Sequence, residues 1–367
     1  MNIYCTRPGC PEPNNHFPDF QYNITPERQL FCRTCGMPLI LTAKGRHYQP
    51  FQALGKGGFG ATFLAVDLDS ISQRDCVVKR LEIQPGYTPE IVEGIKRAFE
   101  REAKVLEKLQ GNQQQIPDFY DYFILTAPQL NSYISQDCNY LVQQHIQGQD
   151  LSQELKQQGR FSEPQILEIL QKILPTLEFI HNQKLIHRDI KPSNIIRRQD
   201  NQKLYLIDFG AVKQVTQGLI SPEQSLVFGS PGYAPPEQEA RQQVYPSSDL
   251  YALAVSCLQL FTNQSLQNLR DPNTHEWNWR SKSPDVNEDL ANILDKMLKH
   301  NPSDRFQSAR DVITALNQKN HAQTPNGSSS NNNTNKTRIM SQSKPRTLWI
   351  LVIVLIIIGI VITKNDD

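Results

Sequence analysis

The sequence predicts an α+β protein in four parts. A cysteine-rich module covers residues 1–47 and a mixed strand and helix region covers 48–317. A polar linker (318–346) and an apolar helix (347–363) follow. Three observations lead there. Four of the seven cysteines lie in the first 35 residues, and one dense apolar block lies in the last 20. Between these ends, β-prone runs come first and long helical periodicities follow. A net charge of +1 with 38% hydrophobic residues describes an ordinary globular chain and excludes a nucleic-acid binder with a basic face. No basic segment followed by an apolar run opens the chain, so no secretory signal is expected and the bulk of the protein is expected in the cytosol.

In the first module, four residues separate Cys5 from Cys10 and two separate Cys32 from Cys35. Two close pairs in a reducing compartment have the spacing of a four-thiolate zinc site, a zinc-ribbon-like arrangement. The intervening segment is rich in Pro and Asn and too poor in apolar residues for a core of its own, a shortage that Zn²⁺ would offset. Redox-active or purely structural thiols are the alternative. His16 could replace one ligand, but a lone surface histidine is the reading preferred for it.

The next region opens on a glycine hairpin, Gly55-Lys56-Gly57-Gly58-Phe59-Gly60. The residues after it, Ala61 to Val66, alternate and are β-prone, so the hairpin joins two strands instead of opening a helix. Such a loop lets backbone amides approach phosphate oxygens without a Cβ in the way. Asp75 to Arg80 reads as the following strand and carries Lys79. A helical pattern then runs from Pro89 to Leu109 and holds both Glu100 and Glu102. Tyr140 to Gly148 reads as a further strand and its exit.

Helical periodicity returns over Asp150–Gln157 and Ser162–His181, the second with a Ser-Glu-Pro-Gln start and an interior Pro175 expected to kink it. Then comes His187-Arg188-Asp189-Ile190-Lys191-Pro192-Ser193-Asn194, a polar run between apolar neighbours. Phosphoryl transfer to a hydroxyl needs a carboxylate at the nucleophile, a cation at the moving phosphate and an oxygen ligand for magnesium. Asp189, Lys191 and Asn194 could supply these in that order from one loop. Leu204 to Ile207 is a strand ending in Asp208-Phe209-Gly210. Gly229 to Glu237, then Ser247 to Leu253 with Asp249, then Asn301 to Phe306 with Arg305, complete the set. Trp277 and Trp279 are expected to pack the core, and Cys138 to be an inert thiol.

Taken in order, these motifs resemble the protein kinases over residues 48–317. Lys191-Pro192 is the serine/threonine-type spelling, and the cysteine prefix with Asp-Phe-Gly-Ala-Val-Lys is similar to cyanobacterial members of the bacterial serine/threonine kinases. The resemblance implies a two-lobed protein-kinase fold, with an amino-terminal lobe over about 48–143 and a carboxy-terminal lobe over about 147–317. It implies ATP and Mg²⁺ as cofactors and protein hydroxyls as substrates, with autophosphorylation, in a homodimer when in trans. Asp189 and Lys191 would be catalytic. The loop Gly55 to Gly60, Lys79 and its partner Glu102 (Glu100 being the alternative) would hold ATP, and Asn194 and Asp208 the metal. Gln143 falls at the gatekeeper position. Thr216, Ser221 and Ser225 are activation-segment phosphosite candidates, with Arg188 placed to pair with such a phosphate. Glu237 would pair with Arg305, and Asp249 would brace the catalytic loop. Cys76 replaces the usual Val or Ala, and Pro235 the usual Ala before Pro-Glu.

Residues 320–346 are rich in Asn, Ser and Thr and read as a flexible tether. Leu348 to Ile362 is uninterrupted and apolar, and with Thr347 and Thr363 it makes about 17 residues, near the lower limit for a spanning helix. Lys336, Arg338, Lys344 and Arg346 flank its amino side, and Asp366 and Asp367 its far side. A single-pass membrane anchor with the catalytic region in the cytoplasm is expected. Two rival readings remain. A small-molecule phosphotransferase should lack Lys191 and Pro236-Glu237. A membrane-tethered pseudokinase scaffold should have lost Lys79, Asp189 or Asp208.

Overall fold

Alternating burial along the amino-terminal strands builds one antiparallel sheet. In the computed structural model, which describes residues 1–18, 29–57, 60–83, 86–111, 115–129, 135–214, 230–271 and 274–320, two short strands come first. These are β1 (Asn2–Tyr4) and β2 (Asn14–His16), paired with each other. Next are β3 (Leu41–Ala43), β4 (Arg46–Gly57), β5 (Gly60–Asp67) and β6 (Asp75–Leu81). Helix α1 (Pro89–Leu109), β7 (Phe119–Ala127) and β8 (Gln136–Gln144) complete this lobe. The sheet order is β3-β4-β5-β6-β8-β7. Strand β5 buries Ala61, Phe63, Ala65 and Asp67 on one face, the period-two pattern of a half-buried strand. Strand β6 lies inside the sheet between β5 and β8 and is buried on both faces around Val77 and Val78.

Among the described residues, the cysteine-rich segment shares its core with the sheet. Ile3, Met37, Leu39, Ile40 and Leu41 are buried in the same cluster as Tyr48, Phe63, Val78, Phe123 and Tyr140 of the sheet. Its stability therefore comes from the sheet as well as from its cysteines. Each fully buried aliphatic side chain there contributes about 1.5–3 kcal/mol.

The carboxy-terminal lobe is helical. It begins with β9 (Gly148–Asp150), α2 (Leu151–Gln158) and α3 (Glu163–Asn182). Asp150 caps α2 by accepting from Ser152 N and Gln153 N, and the Gln165 side chain accepts from Ser162 N at the start of α3. Helix α3 runs through Pro175 as one element and buries Ile166, Ile169, Leu170, Ile173, Leu174 and Leu177 along one stripe. Short strands β10 (Leu185–Ile186), β11 (Ile195–Arg198), β12 (Leu204–Leu206) and β13 (Lys213–Gln214) follow. They pair as β12-β11-β9 and β10-β13, which fixes the two loops that carry His187–Asn194 and Asp208–Gly210. Then come α4 (Pro236–Glu239), α5 (Pro246–Thr262), α6 (Leu266–Leu269), α7 (Glu288–Met297) and α8 (Ala309–Asn320). Helix α5 is buried along nearly its whole length and forms the centre of the lobe. Trp279 is fully buried and donates to Asp295, and Trp277 donates to the Tyr251 hydroxyl, so both pack the lobe.

Gly58, Phe59, Thr216, Ser221, Ser225 and the apolar run Leu348–Ile362 lie outside the described residues. Among the described residues no helix is long and apolar enough to cross a membrane.

A bidentate ion pair locks α4 to the end of the lobe. Arg305 Nη1 and Nη2 lie 2.8 and 2.9 Å from the two Glu237 oxygens, both side chains being buried. Ser248 Oγ also donates to Glu237, and Arg305 donates to the carbonyls of Lys299 and His300. Breaking such a pair leaves a buried charge unpartnered, at about 3–5 kcal/mol. Arg305→Met is expected to lower the melting temperature by about 10 °C. A variant that melts within about 2 °C of the parent would remove this account of the lobe's closure.

Candidate active site

Strand β6, packed between β5 and β8, presents Lys79 toward the cleft. Its Nζ lies 2.5 Å from Glu102 Oε1 on α1 and 3.3 Å from Asp208 Oδ1. Glu102 lies on the stripe Ile95, Ala98, Phe99, Glu102, Ala103, Leu106 that α1 buries, whereas Glu100 points outward and pairs with Lys104 at 2.6 Å. Of the two candidates, Glu102 is the partner. Burial opposes the charge on Lys79, but Asp208 and Glu102 outweigh it and hold the ammonium above its ordinary range. Lys79 in turn holds the Asp208 carboxyl below the usual range, while burial pushes Glu102 up. Asp208 has a left-handed backbone, φ +66°, which Asp tolerates. Phe209 is buried beside His187, ring centroids 4.9 Å apart. A Cβ on Gly210 would come within 3.2 Å of Glu102 Oε2.

The loop after β10 holds the second group. Asp189 Oδ1 accepts from Ser230 Oγ at 2.9 Å, and Oδ2 accepts from Asn194 Nδ2 at 2.9 Å. Lys191 Nζ lies 2.9 Å from Asp189 Oδ2 and donates to Ser230 Oγ at 2.5 Å. Asp189, Lys191 and Ser230 thus form a closed triangle of a carboxylate, an ammonium and a hydroxyl. Asn194 commits its amide nitrogen to Asp189, which leaves its carbonyl oxygen for a cation.

Asp249, at the start of α5, fixes that loop from below. Its oxygens accept from His187 N at 2.9 Å, Arg188 N at 2.8 Å and His181 Nε2 at 2.8 Å. Burial opposes its ionisation, but the hydrogen bonds from His181 and from the Arg188 amide prevail and keep its carboxyl below the usual range. Gln238 donates to the Arg188 carbonyl at 2.8 Å.

Gln143, at the end of β8, is buried, and its Oε1 has no hydrogen-bond partner among the described residues. An orphaned acceptor beside the chain segment Gln144–Ile146 fits an adenine amine. With the half-exposed Asp208 carboxylate and the Asn194 carbonyl, the donor set also fits Mg²⁺.

On the far face of the sheet, Cys5, Cys10, Cys32 and Cys35 bring their sulfurs within 4.8 Å of one another. Cys5 and Cys35 are 3.5 Å apart and Cys10 and Cys32 3.8 Å. Four sulfurs around a tetrahedral zinc at about 2.3 Å are about 3.8 Å apart, so the set fits Zn²⁺. Burial resists ionisation at Cys32, but amides of Cys35 and Thr34 and the Asn15 side chain outweigh it and lower this thiol to about 7. Burial pushes Cys10 up to about 12 and Cys5 higher still. His16 bonds Asn2 and stands apart from the four. Cys138 is buried, and burial raises its pKa.

The protein kinase domain family matches residues 48–319. The chain belongs to the protein kinase family. This kinase is 44% identical over 334 residues to serine/threonine-protein kinase F of Synechocystis sp., covering 90% of this chain and 66% of that one. It is 40% identical over 323 residues to kinase B of the same organism (85% and 51%). With kinase PknA of Nostoc sp. the identity is 41% over 275 residues (73% and 46%). The chain therefore spans about half to two thirds of the length of these named relatives. Among solved structures, the PknI kinase domain of Mycobacterium tuberculosis, a double mutant, superposes with a TM-score of 0.55 at 22% identity, covering 74% of this chain and 94% of that one.

Sequence reasoning assembled Lys79, Glu102, Asp189, Lys191, Asn194 and Asp208 in this kinase, and the fold joins Lys79 to Glu102 and Asp208, and Asp189 to Lys191 and Asn194. It missed Ser230, His181 and Gln238. Ser230 was within reach of inference, since it lies in the Gly-Ser-Pro run that returns the chain to the catalytic loop. Nothing in the sequence marked His181 as a partner of Asp249.

Burial holds His187 neutral, its folded pKa below the ordinary 6.5. The unfolded chain takes up that proton as the pH falls through about 6.5 and the folded chain does not. Native stability from this group is therefore complete above about pH 6.5 and drains away on acidification toward the folded value. Between pH 7.5 and 5.5, melting temperature is expected to fall, and to fall less steeply in His187→Gln. Parallel slopes in the two proteins would exclude His187 as the cause.

Proposed function

We propose that this chain is an ATP-dependent serine/threonine protein kinase, of the cyanobacterial type, that phosphorylates protein hydroxyls and itself. The observation that carries the reading is Lys79 clamped between Glu102 and Asp208 while the Asp189–Lys191–Ser230 triangle is closed. Lys79 would hold the α- and β-phosphates, steadied by Glu102, and the glycine loop from Gly55 to Gly60 would cover them with backbone amides. Asp189 would orient the substrate hydroxyl and accept its proton, and Lys191 would balance charge on the transferring phosphoryl group. Asn194 and Asp208 would hold Mg²⁺, which supplies charge neutralisation along the phosphates when bound. Retention of Lys79, Asp189 and Asp208 disfavours a scaffold pseudokinase. Lys191 and the Pro236-Glu237 anchor disfavour a small-molecule phosphotransferase.

The four cysteines are proposed to hold Zn²⁺, on the sulfur spacing given above. The run Leu348–Ile362, with basic residues before it, is proposed as a single-pass anchor that keeps the kinase domain cytoplasmic, and pairs of chains as the unit of trans-autophosphorylation. Thr216, Ser221 and Ser225 are its proposed acceptors.

Transfer of labelled γ-phosphate to a generic basic protein and to the chain itself tests the central reading. Asp189→Ala is expected to lower the rate by about 10²–10⁴-fold, and equal rates would overturn it. The anchor has its own test. The full chain should float with lipid vesicles and residues 1–346 should not, so flotation of both or neither would remove it.

A further inference from the structure

We propose that Arg80 is a positioning residue: it ties the lysine strand and the stem of the glycine loop to the four-cysteine knuckle, so that metal at the knuckle sets nucleotide affinity. Arg80 follows Lys79 on β6. Successive strand residues face opposite sides of a sheet, so Lys79 meets the cleft while Arg80 faces the cysteine module. Arg80 is buried, 3% exposed, and its Nη1 donates to the carbonyl of Thr6. Thr6 is the residue after Cys5, and its hydroxyl lies 2.8 Å from the Tyr140 hydroxyl. Tyr140 is also the register partner of Arg80 across β6 and β8. The next residue, Arg7, donates to the Cys35 carbonyl at 3.2 Å and the Pro128 carbonyl at 2.8 Å. The knuckle is therefore held to β6 and to the β7–β8 connection by buried hydrogen bonds, which tolerate displacement poorly.

The other end of the guanidinium points to the glycine loop. Arg80 Nη2 donates to Glu82 Oε2 at 2.6 Å, and Glu82 Oε1 lies 3.6 Å from Lys56 Nζ. Lys56 is on the β4 stem of that loop, and a Cβ on Gly60, the first residue of the return strand, would lie 2.5 Å from the Arg80 carbonyl oxygen. The backbone of Arg80 thus meets one stem of the loop directly, and its side chain reaches the other through Glu82. The Lys56–Glu82 pair is exposed on the lysine side and adds little by itself. The Arg80–Glu82 pair, buried on the arginine side, and the Thr6 carbonyl carry the connection. Loss of the metal would free Cys5, then Thr6, then Arg80. The strand that aims Lys79 would lose its rear support, and Lys79 would be held less firmly against Glu102 and Asp208.

This inference rests on the kinase reading for its purpose, but its test reads nucleotide binding. Full chain, Arg80→Met, Arg80→Lys and Glu82→Gln would be titrated with a non-hydrolysable ATP analogue and Mg²⁺ by calorimetry, beside a thermal melt of each. Arg80→Met is expected to weaken the analogue about tenfold and to raise KM for ATP with kcat at saturating ATP within about twofold. Arg80→Lys should restore most of the affinity, and Glu82→Gln should weaken it about threefold. A zinc-selective chelator should weaken the parent by the same tenfold and add nothing in Arg80→Met. Parent-like affinity in a folded Arg80→Met, lowered kcat at unchanged KM, or fully additive losses with chelator would each overturn the proposal. Should Arg80→Met not fold, parent-like affinity in Glu82→Gln and in chelated parent would do the same. Analogue binding without phosphate transfer would sink the kinase reading alone.

Discussion

Three hydrogen bonds converge on the Asp249 carboxylate, two of them from consecutive backbone amides of the catalytic loop. Those amides belong to His187 and Arg188, and Arg188 has a left-handed backbone, φ +70°. For a long side chain that conformation costs about 1–2 kcal/mol. The loop keeps it because a buried anion on α5 accepts both N–H groups and Gln238 donates to the carbonyl between Arg188 and Asp189. The turn aims Asp189 toward the cleft and sets the spacing at which Asn194 and Lys191 can reach it. The chemistry of the cleft thus depends on a carboxylate that never meets substrate.

The second dependency runs between the lobes. Lys79 comes from the sheet, Glu102 from a helix packed beside it and Asp208 from the carboxy-terminal lobe, so one ammonium holds three elements together. Phe209, buried under that cluster beside His187, makes the contact continuous with the loop that Asp249 supports. Charge complementarity at the front of the cleft and close packing behind it favour the same arrangement.

Much of this was legible in the sequence because it is local. The His-Arg-Asp loop, the strand-terminal Asp208 and the glycine hairpin each announce themselves within ten residues. Glu102 could be separated from Glu100 by helical period alone, since only Glu102 falls on the stripe with Ile95, Phe99 and Leu106. The Glu237–Arg305 pair spans 68 positions and was still anticipated, because both partners sit in recognisable runs. Ser230 and Arg80 were not. Ser230 reaches Asp189 from 41 residues away through a hydroxyl that any turn could carry. Arg80 bonds a main-chain carbonyl 74 positions distant, and a backbone acceptor has no residue type to betray it. The dependence of the cysteine module on the sheet was half visible, as a shortage of apolar side chains with no statement of where the missing core would come from.

Gly60 shows how position and chemistry can be confused. Its missing side chain is explained by the carbonyl of Arg80, which a methyl group would overlap, before any nucleotide enters the account. By contrast, nothing lies within 4 Å of a Cβ built on Gly55. The two outer glycines of a single motif therefore differ, one being set by the adjacent strand and the other facing open space. An experimenter who reads every glycine of the loop as a phosphate contact would attribute to ligand recognition a defect that begins as a bent sheet.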